Sequence, residues 1–279
     1  MRFSSEPPSL SDREFLILRE LIRERTGLHF DDSKREMLAD RLAPCLQERH
    51  FEAFIDYYYL LKHGPHAEEE WGRVLDALSV PETYFWREFD QVRALVDVIV
   101  PEHFARRPTE PLRIWSAACA TGEEPLTILM ALAEAGWLGR VPIEIVASDG
   151  SAAALARARK GVYRERSFRN LSTTLRQKYF RPVDEGWQVL PELQTHIRWE
   201  RVNLAAPFEM ARCLPADCIF CRNVFIYFCG ETVGKIVRRF AEGMSRPGYL
   251  FVGVSESLIR YSQEFELQEI GGAFVYVLK

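Results

Sequence analysis

The sequence lacks a long apolar run and an excess charge of either sign. Its longest apolar stretch, 94–100, is interrupted by Asp97 and is far shorter than the roughly 20 residues that span a bilayer. The N-terminus has no basic segment followed by a hydrophobic one, so the sequence predicts a cytoplasmic protein without direct membrane insertion. The net charge of -4 over 279 residues predicts no general attraction to nucleic acid or to an anionic membrane.

A recognisable metal-binding motif is also lacking. The sequence contains no H-E-x-x-H pattern, and its six histidines are scattered along the chain. Cys218 and Cys221 have the spacing of a zinc motif, but they fall in a predicted buried strand, 216–221. Residues three apart on a strand point to opposite faces, so these two thiols cannot bind one ion together. We therefore predict no metal site.

The first 80 residues have helical periodicity and no strand pattern. Ser11 and Gly27 are placed as the caps of a first helix, and the run Asp-Asp-Ser at 31–33 precedes a second. Pro44 lies inside the second helix, where proline predicts a kink or a break. Two further helices are predicted, at 51–61 and 68–78.

From residue 111 onward, strand and helix patterns alternate, which predicts an α/β fold with a mainly parallel sheet. The alternation is interrupted by a predicted hairpin between 179 and 190, which indicates a small β insertion. The chain closes with two apolar runs separated by Gly271-Gly272, which predicts an antiparallel C-terminal hairpin. The predicted segments are an all-α domain at 1–80, a linker and lead-in helix at 81–110, and an α/β domain at 111–279 with its insertion at about 177–195.

The segment 111–125, PLRIWSAACATGEEP, predicts a strand, a turn of small residues and a helix start. Such a turn lets a ligand approach the backbone at the carboxyl edge of a sheet, where open α/β folds bind nucleotide-like molecules. It has a single glycine, Gly122, rather than G-x-G-x-x-G, and it carries Glu123 and Glu124 where a phosphate would lie. A dinucleotide is therefore disfavoured, and a cationic adenosine-containing ligand such as S-adenosylmethionine is favoured.

Polar residues follow the predicted strands, and they should lie along one rim of the sheet. They are Glu123, Asp149, Asn203, Arg222 and Asn223. Asp149 follows Gly122 by 27 residues, where an acid can accept hydrogen bonds from ribose hydroxyls or can cap the next helix. These two roles are compatible.

Two other segments allow two explanations each. The basic residues of the second helix form either a solvated face or a docking strip for an acidic helix, and the residues alone favour the former; they are Lys34, Arg35, Arg41 and Arg49. The run PETYFWRE at 81–88 either fills the seam between domains or carries Thr83 and Arg87 into a site.

Five runs closely resemble motifs of the chemotaxis receptor methyltransferase family, CheR, and they occur in the family's order. They are PETYFWRE at 81–88, WSAACATGEEP at 115–125, ASD at 147–149, VNL at 202–204 and CRNVFIYF at 221–228. The resemblance extends from about residue 11 to the end. It implies a Rossmann-like S-adenosylmethionine-dependent methyltransferase sheet with an antiparallel C-terminal hairpin, a small β insertion and an all-α N-terminal domain.

The resemblance implies a protein-glutamate O-methyltransferase that modifies the cytoplasmic helical region of methyl-accepting chemoreceptors and releases S-adenosylhomocysteine. It implies catalytic roles for Arg87 and Tyr227 and a ribose contact for Asp149. The other implied cofactor residues are Thr83, Ala117, Glu123, Asn203, Leu204, Arg222 and Asn223. It also favours the docking interpretation of the basic residues at 34, 35, 41 and 49. Glu123 either contacts the cofactor or caps its helix.

The sequence departs from the family pattern at a few positions. Pro81 replaces a common asparagine, Trp86 replaces a phenylalanine, and Gly150-Ser151 follows Asp149 in place of isoleucine-aspartate. The turn of the insertion, Asp184-Glu185-Gly186, lacks the loop extension of relatives that bind a receptor's C-terminal pentapeptide, so we predict no such tethering. The alternatives are a small-molecule carboxylate methyltransferase and a non-catalytic regulator that binds the cofactor or its product.

Overall fold

The computed structural model describes residues 9–279, so the first eight residues of the predicted N-terminal domain lie outside it. Four helices form an N-terminal helical bundle: α1 (Asp12–Thr26), α2 (Arg35–Glu48), α3 (Phe54–His63) and α4 (Ala67–Leu78). The predicted caps of α1 are confirmed, since the Ser11 side chain accepts the N–H of Glu14 and Gly27 has φ 77°. Helix α2 continues through Pro44, so no break occurs there.

A helical lead-in connects the bundle to the sheet. It comprises α5 (Phe89–Ala94), a π-helical turn (Leu95–Ile99) and α6 (Val100–Arg106), which follow one another without interruption. Its apolar side, which includes Val92, Ile99 and Val100, is buried in the main core of the α/β part. The lead-in is therefore packed against the sheet rather than free of it.

The α/β part follows in chain order. Its first half comprises β1 (Leu112–Ala117), α7 (Glu123–Glu134), β2 (Ile143–Asp149), α8 (Ala152–Lys160), β3 (Val162–Tyr163), α9 (Thr173–Tyr179), β4 (Phe180–Val183), β5 (Gly186–Val189) and α10 (Pro191–Gln194). The second half comprises β6 (Ile197–Arg201), α11 (Pro207–Met210), β7 (Ala216–Phe220), α12 (Gly230–Gly243), β8 (Met244–Phe251), β9 (Phe265–Ile270) and β10 (Ala273–Leu278).

The main sheet has seven strands in the order β6-β2-β1-β7-β8-β10-β9. The first five are parallel, and β10 pairs antiparallel with both β8 and β9. This confirms the predicted α/β class and the C-terminal hairpin. The order of winding reverses between β1 and β7, and in open α/β sheets ligands bind at the carboxyl ends of the strands beside such a reversal.

The insertion is a separate three-stranded antiparallel sheet in the order β3-β5-β4. Its hairpin β4–β5 turns at Asp184 and Glu185, within the predicted segment. The third strand, β3, was not predicted because two residues are too short for an alternating pattern. Strand β8 also begins and ends earlier than the predicted 248–254, so Val252 and Gly253 lie outside it.

Candidate active site

The turn after β1 has an unusual backbone. Ala118 and Ala120 have positive φ angles, 57° and 48°, and Gly122 has φ 93°. Non-glycine residues adopt this region at a cost, and such residues cluster at functional sites. A Cβ on Gly122 would lie 3.0 Å from both the Ala158 Cβ and the Trp199 ring, so the turn has no room for a larger residue there.

A cavity opens over this turn, at the carboxyl ends of β1, β2 and β7. It is lined by eight of the predicted cofactor and catalytic residues: Thr83, Arg87, Asp149, Asn203, Leu204, Arg222, Asn223 and Tyr227. Residues separated by up to 144 positions in the sequence therefore meet in one place. Four of the five predicted strand-end residues are among them.

Ala117 and Glu123 do not line the cavity. Ala117 is buried as the last residue of β1, and its neighbour Ala118 faces the cavity instead. Glu123 points to the opposite side, where its carboxylate accepts from the Thr121 hydroxyl at 2.7 Å and the Ser167 hydroxyl at 3.0 Å, and burial raises its pKa. Glu124 lines the cavity in its place, because consecutive helical residues point about 100° apart.

Asp149 ends β2 with its carboxylate held by the backbone. Its two oxygens accept from the N–H of Ala120 at 2.9 Å and of Ser151 at 2.8 Å. Burial raises the pKa of Asp149 to about 6. A carboxylate has about four acceptor positions, so each oxygen can accept one further hydroxyl from a ligand. The Ser151 side chain, and not that of Asp149, caps α8 by accepting from the N–H of Ala154 at 3.0 Å.

Arg222 forms a buried ion pair with Glu124. The Arg222 Nε donates to Glu124 Oε2 at 2.7 Å, and the exposed fractions of the two side chains are 4% and 11%. Glu124 Oε1 also accepts from the Ser116 hydroxyl at 2.6 Å, and Arg222 Nη1 donates to the Glu88 carbonyl at 3.1 Å. This network ties β1, α7, β7 and the 81–88 segment together around the cavity.

Asn223 has φ 58° and is held by a residue that the sequence analysis missed, Glu256. The Glu256 carboxylate accepts three backbone N–H groups: those of Asn223 at 2.8 Å, Phe225 at 2.7 Å and Gly253 at 2.7 Å. A Cβ on Gly253 would lie 2.4 Å from the Asn223 amide, so only glycine fits this approach. No local pattern signals the role of Glu256, since it acts across 33 residues.

Arg87 and Tyr227 lie near one another in the cavity. Arg87 Nη1 donates to the Glu82 carbonyl at 2.9 Å, and a quarter of its side chain remains exposed. Burial raises the pKa of Tyr227, and Arg87 is among the charges that act on this phenol. At neutral pH the cavity therefore presents a fixed guanidinium and a protonated hydroxyl, two donors suited to a carboxylate.

The helical bundle forms one wall of the cavity through Thr26, Leu28, Leu75 and Leu78. The backbone N–H of His29 donates to the Tyr227 carbonyl at 2.9 Å, and the Asn203 side-chain amide donates to the Arg25 carbonyl at 2.8 Å. On the other side, Asp76 of α4 accepts from the Ser151 hydroxyl at 2.6 Å. The cavity is thus built jointly by the bundle and the sheet.

The four predicted docking residues are in two different environments. Arg41 donates to the carbonyls of Ala77, Leu78 and Ser79 at 3.1 to 3.4 Å, and Arg49 pairs with the buried Glu70 at 2.5 Å. Both therefore make contacts that hold α2 against α4. Lys34 and Arg35 are more open, with 40% and 41% of their side chains exposed, and they pair with Asp31 and Asp12 respectively.

Within residues 9–279, no group of three or more His, Cys, Asp or Glu side chains is arranged to hold a metal ion. Burial raises the pKa of the Cys218 and Cys221 thiols well above their usual value, so both are protonated at neutral pH. The same residues include no helix that is both long and apolar enough to cross a membrane.

Comparison with known proteins agrees with this geometry. The S-adenosylmethionine-binding domain of the CheR methyltransferases matches residues 81–273, and the all-alpha domain of the same family matches residues 13–79. The chain is 35% identical to chemotaxis protein methyltransferase 2 of Vibrio cholerae, over 93% of this chain and 90% of that protein. It is 35% identical to the chemotaxis protein methyltransferase of Escherichia coli K12, over 98% and 93%.

The likeness to the two relatives covers nearly their full lengths, and both halves of the chain match the family in its order. The cavity described above lies in the part that matches the S-adenosylmethionine-binding domain, closed by helices of the all-alpha part. The chain belongs to the CheR methyltransferase family and is a methyltransferase that uses S-adenosylmethionine.

Proposed function

We propose that the chain methylates glutamate side chains in the cytoplasmic helical region of a methyl-accepting chemoreceptor, forming glutamyl methyl esters and S-adenosylhomocysteine. The observation that carries this proposal is the position of Arg87 and Tyr227 in the same cavity as Asp149. Asp149 suits a ribose, and Arg87 and Tyr227 suit the carboxylate of a substrate. The names of the relatives, chemotaxis protein methyltransferases, support the choice of substrate.

The residues fit S-adenosylmethionine better than a phosphate-bearing cofactor. Among the described residues, three acids line the cavity, Glu82, Glu124 and Asp149, against two arginines, so the lining has a net negative charge that opposes phosphate and favours a cation. Asp149 would accept the ribose hydroxyls, and the remaining predicted wall residues would complete the shell: Thr83, Asn203, Leu204, Arg222 and Asn223. S-adenosylmethionine supplies an electrophilic methyl group on a sulfonium.

The chain's own residues orient and shield the reactants. A receptor glutamate is already ionised at neutral pH, so no general base is required. Its oxygen forms a bond to the methyl carbon as the carbon–sulfur bond breaks, and no proton is transferred. Arg87 holds the carboxylate in line with the methyl group, and the Tyr227 hydroxyl donates to the substrate glutamate or to the methionyl end of the cofactor. The bundle wall of Leu75 and Leu78 excludes water from the reacting pair.

The receptor would be met by the exposed part of the bundle and without a C-terminal tether. Lys34 and Arg35 are the two predicted docking residues that remain open to a partner. The turn of the insertion is short, and its Glu185 is paired with Lys160 of α8. We infer that this turn does not bind a receptor pentapeptide, and that the enzyme acts in the cytoplasm.

Incubation with tritiated S-adenosylmethionine and receptor-containing membranes tests the proposal. We expect base-labile, volatile label on the receptor, equal in amount on a receptor truncated by its last five residues. Binding of S-adenosylhomocysteine without any label would overturn the proposal and favour a cofactor-binding regulator. Label only on small acids, with none on the receptor, would favour a small-molecule methyltransferase.

Asp149→Ala is expected to weaken S-adenosylhomocysteine binding roughly 10- to 100-fold, because about 1.5–3 kcal/mol of hydrogen bonding to the ribose is lost. The ribose hydroxyls bind the ionised carboxylate, whose pKa in the free protein is about 6. Affinity should therefore be full at pH 7.5 and fall about tenfold for each pH unit below 6. Isothermal titration calorimetry between pH 5 and 8 measures both effects.

Asp149→Asn is the control for the pH dependence, since it keeps the size of the side chain and removes its titration. Its affinity should be low and nearly constant from pH 5 to 8. An unchanged affinity in Asp149→Ala, or a wild-type affinity that is constant across this range, would contradict the ribose assignment.

A further inference from the structure

Two guanidinium groups lie over the ring of Tyr84. The Cζ of Arg169 is 3.5 Å from the ring centroid, and the Cζ of Arg87 is 5.6 Å from it. Arg87 reaches into the cavity, but Arg169 and Tyr84 do not line it. The stack therefore places a second cation just outside the cavity, next to the residue proposed to hold the target carboxylate.

The position of Arg169 is fixed relative to Arg87. The N–H of Phe85 donates to the Ser167 carbonyl at 2.9 Å. Phe85 is completely buried, and its ring stacks on Phe168 with 5.2 Å between centroids. The segment that carries Arg169 is thus bonded to the segment that carries Arg87, which fixes the backbone positions of the two arginines relative to each other.

A second exposed arginine, Arg166, precedes Arg169 in the chain and lines a separate pocket together with Glu123 and Lys160. Residues 165–168 form a 3-10 helix, and Arg169 continues it with helical φ and ψ. Both are exposed, and among residues 9–279 no carboxylate lies within 4.0 Å of either, whereas the nearby Arg176 pairs with Glu165.

We propose that Arg169 is a specificity-determining contact for the receptor helix that presents the target glutamate. It would bind a second carboxylate on that helix, three or four residues from the one held by Arg87. Residues at this spacing lie about 5–6 Å apart on one helix face. This inference rests on the proposed function and names the substrate class more closely, as an acidic helix.

The chemistry of a stacked arginine fits this role. A guanidinium that lies over an aromatic ring keeps its N–H groups at the edge of its plane, where they can bind a carboxylate with two hydrogen bonds. The ring also limits the freedom of the side chain before the substrate arrives. Because Arg169 lies outside the cavity, it should affect receptor binding and leave the cofactor site unchanged.

The test uses the full chain and the cytoplasmic fragment of a methyl-accepting chemoreceptor from the same organism. Binding of the fragment and methylation rates are measured separately. Arg169→Glu is expected to raise the Kd and the KM for the fragment about tenfold, with the Kd for S-adenosylhomocysteine unchanged, because a charge reversal replaces attraction by repulsion. Arg169→Ala should raise them about threefold, and Arg169→Lys less.

Two controls separate a specific contact from a general charge effect. Arg140→Glu makes the same reversal at an exposed arginine that precedes β2. This residue lies at the amino end of the strand, away from the cavity at the carboxyl ends, so the KM should be unchanged. Replacing the acidic residues three and four positions from the modified glutamate by glutamine should remove the difference between wild type and Arg169→Glu. Tyr84→Leu should raise the KM more than Tyr84→Phe, which keeps the ring.

The outcomes distinguish the inference from the proposed function. An unchanged Kd and KM in Arg169→Glu, or an equal effect of Arg140→Glu, would overturn the inference while methylation stands. A fragment that binds the wild type but is never methylated would overturn the proposed function, and its binding to Arg169→Glu would still decide the role of Arg169. A fragment that does not bind at all would overturn both.

Discussion

Arg87→Ala is expected to lower kcat by about 10²- to 10³-fold, while the Kd for S-adenosylhomocysteine rises by less than about tenfold. Arg87 is one of two arginines that line the cavity in the described part of the chain, and the other, Arg222, is paired with Glu124. Without it, a substrate carboxylate would face the carboxylates of Glu82 and Asp149 with no unpaired arginine beside them. The loss should therefore appear in the chemical step rather than in the occupancy of the cofactor site.

Single-turnover methylation and calorimetry on the same preparation measure the two quantities. Arg87→Lys keeps the charge but not the planar fork of donors, so it should recover part of the lost rate and remain well below the wild type. Arg140→Ala is the matched control at an exposed site. Full activity in Arg87→Ala, or a Kd that changes as much as kcat, would show that Arg87 does not orient the carboxylate.

Arg222→Ala is expected to lower the free energy of unfolding by about 3–5 kcal/mol, because it leaves the buried Glu124 carboxylate without its cation. The pair is nearly inaccessible to water, and Arg222 also donates to the Glu88 carbonyl and to the Gln91 side chain. Urea unfolding followed by tryptophan fluorescence and by circular dichroism measures the loss. Glu124→Ala should give a loss of similar size.

The control for this prediction is an exposed pair of the same chemistry. Lys235 and Glu231 are 2.6 Å apart on α12, and 73% and 63% of their side chains are exposed. Lys235→Ala should cost less than 1 kcal/mol, since solvent screens such pairs. In the double variant of Arg222 and Glu124, the loss should be smaller than the sum of the two single losses. Losses below 1 kcal/mol in both single variants would contradict a structural role for the pair.

Where a feature depends on neighbouring residues in the chain, the sequence predicted it well. The caps of α1, the C-terminal hairpin around Gly271-Gly272 and the position of Asp149 at the end of β2 all follow from local patterns. The wall of the cavity could also be anticipated, because the carboxyl ends of parallel strands meet at one edge.

Features that depend on the direction of a side chain or on a distant partner could not be predicted. The sequence placed two acids at the start of α7, but the angle at which the helix leaves β1 decides that Glu124 and not Glu123 faces the cavity. Glu256 stabilises Asn223 across 33 residues, which no periodicity records. Arg41 and Arg49 have the spacing of an exposed strip, yet carbonyl groups and a carboxylate of α4 bind them.

The shared cavity has a consequence for how the protein melts. Its walls come from two parts of the structure, the helical bundle through Leu28, Leu75 and Leu78 and the sheet through Asp149 and Leu204, so a ligand inside it contacts both at once. A ligand that binds only the joined form stabilises that form by mass action. S-adenosylhomocysteine should therefore stabilise the contact between the bundle and the sheet. In a calorimetric scan, any separate unfolding transitions of these two parts should merge into one at a higher temperature when it is bound.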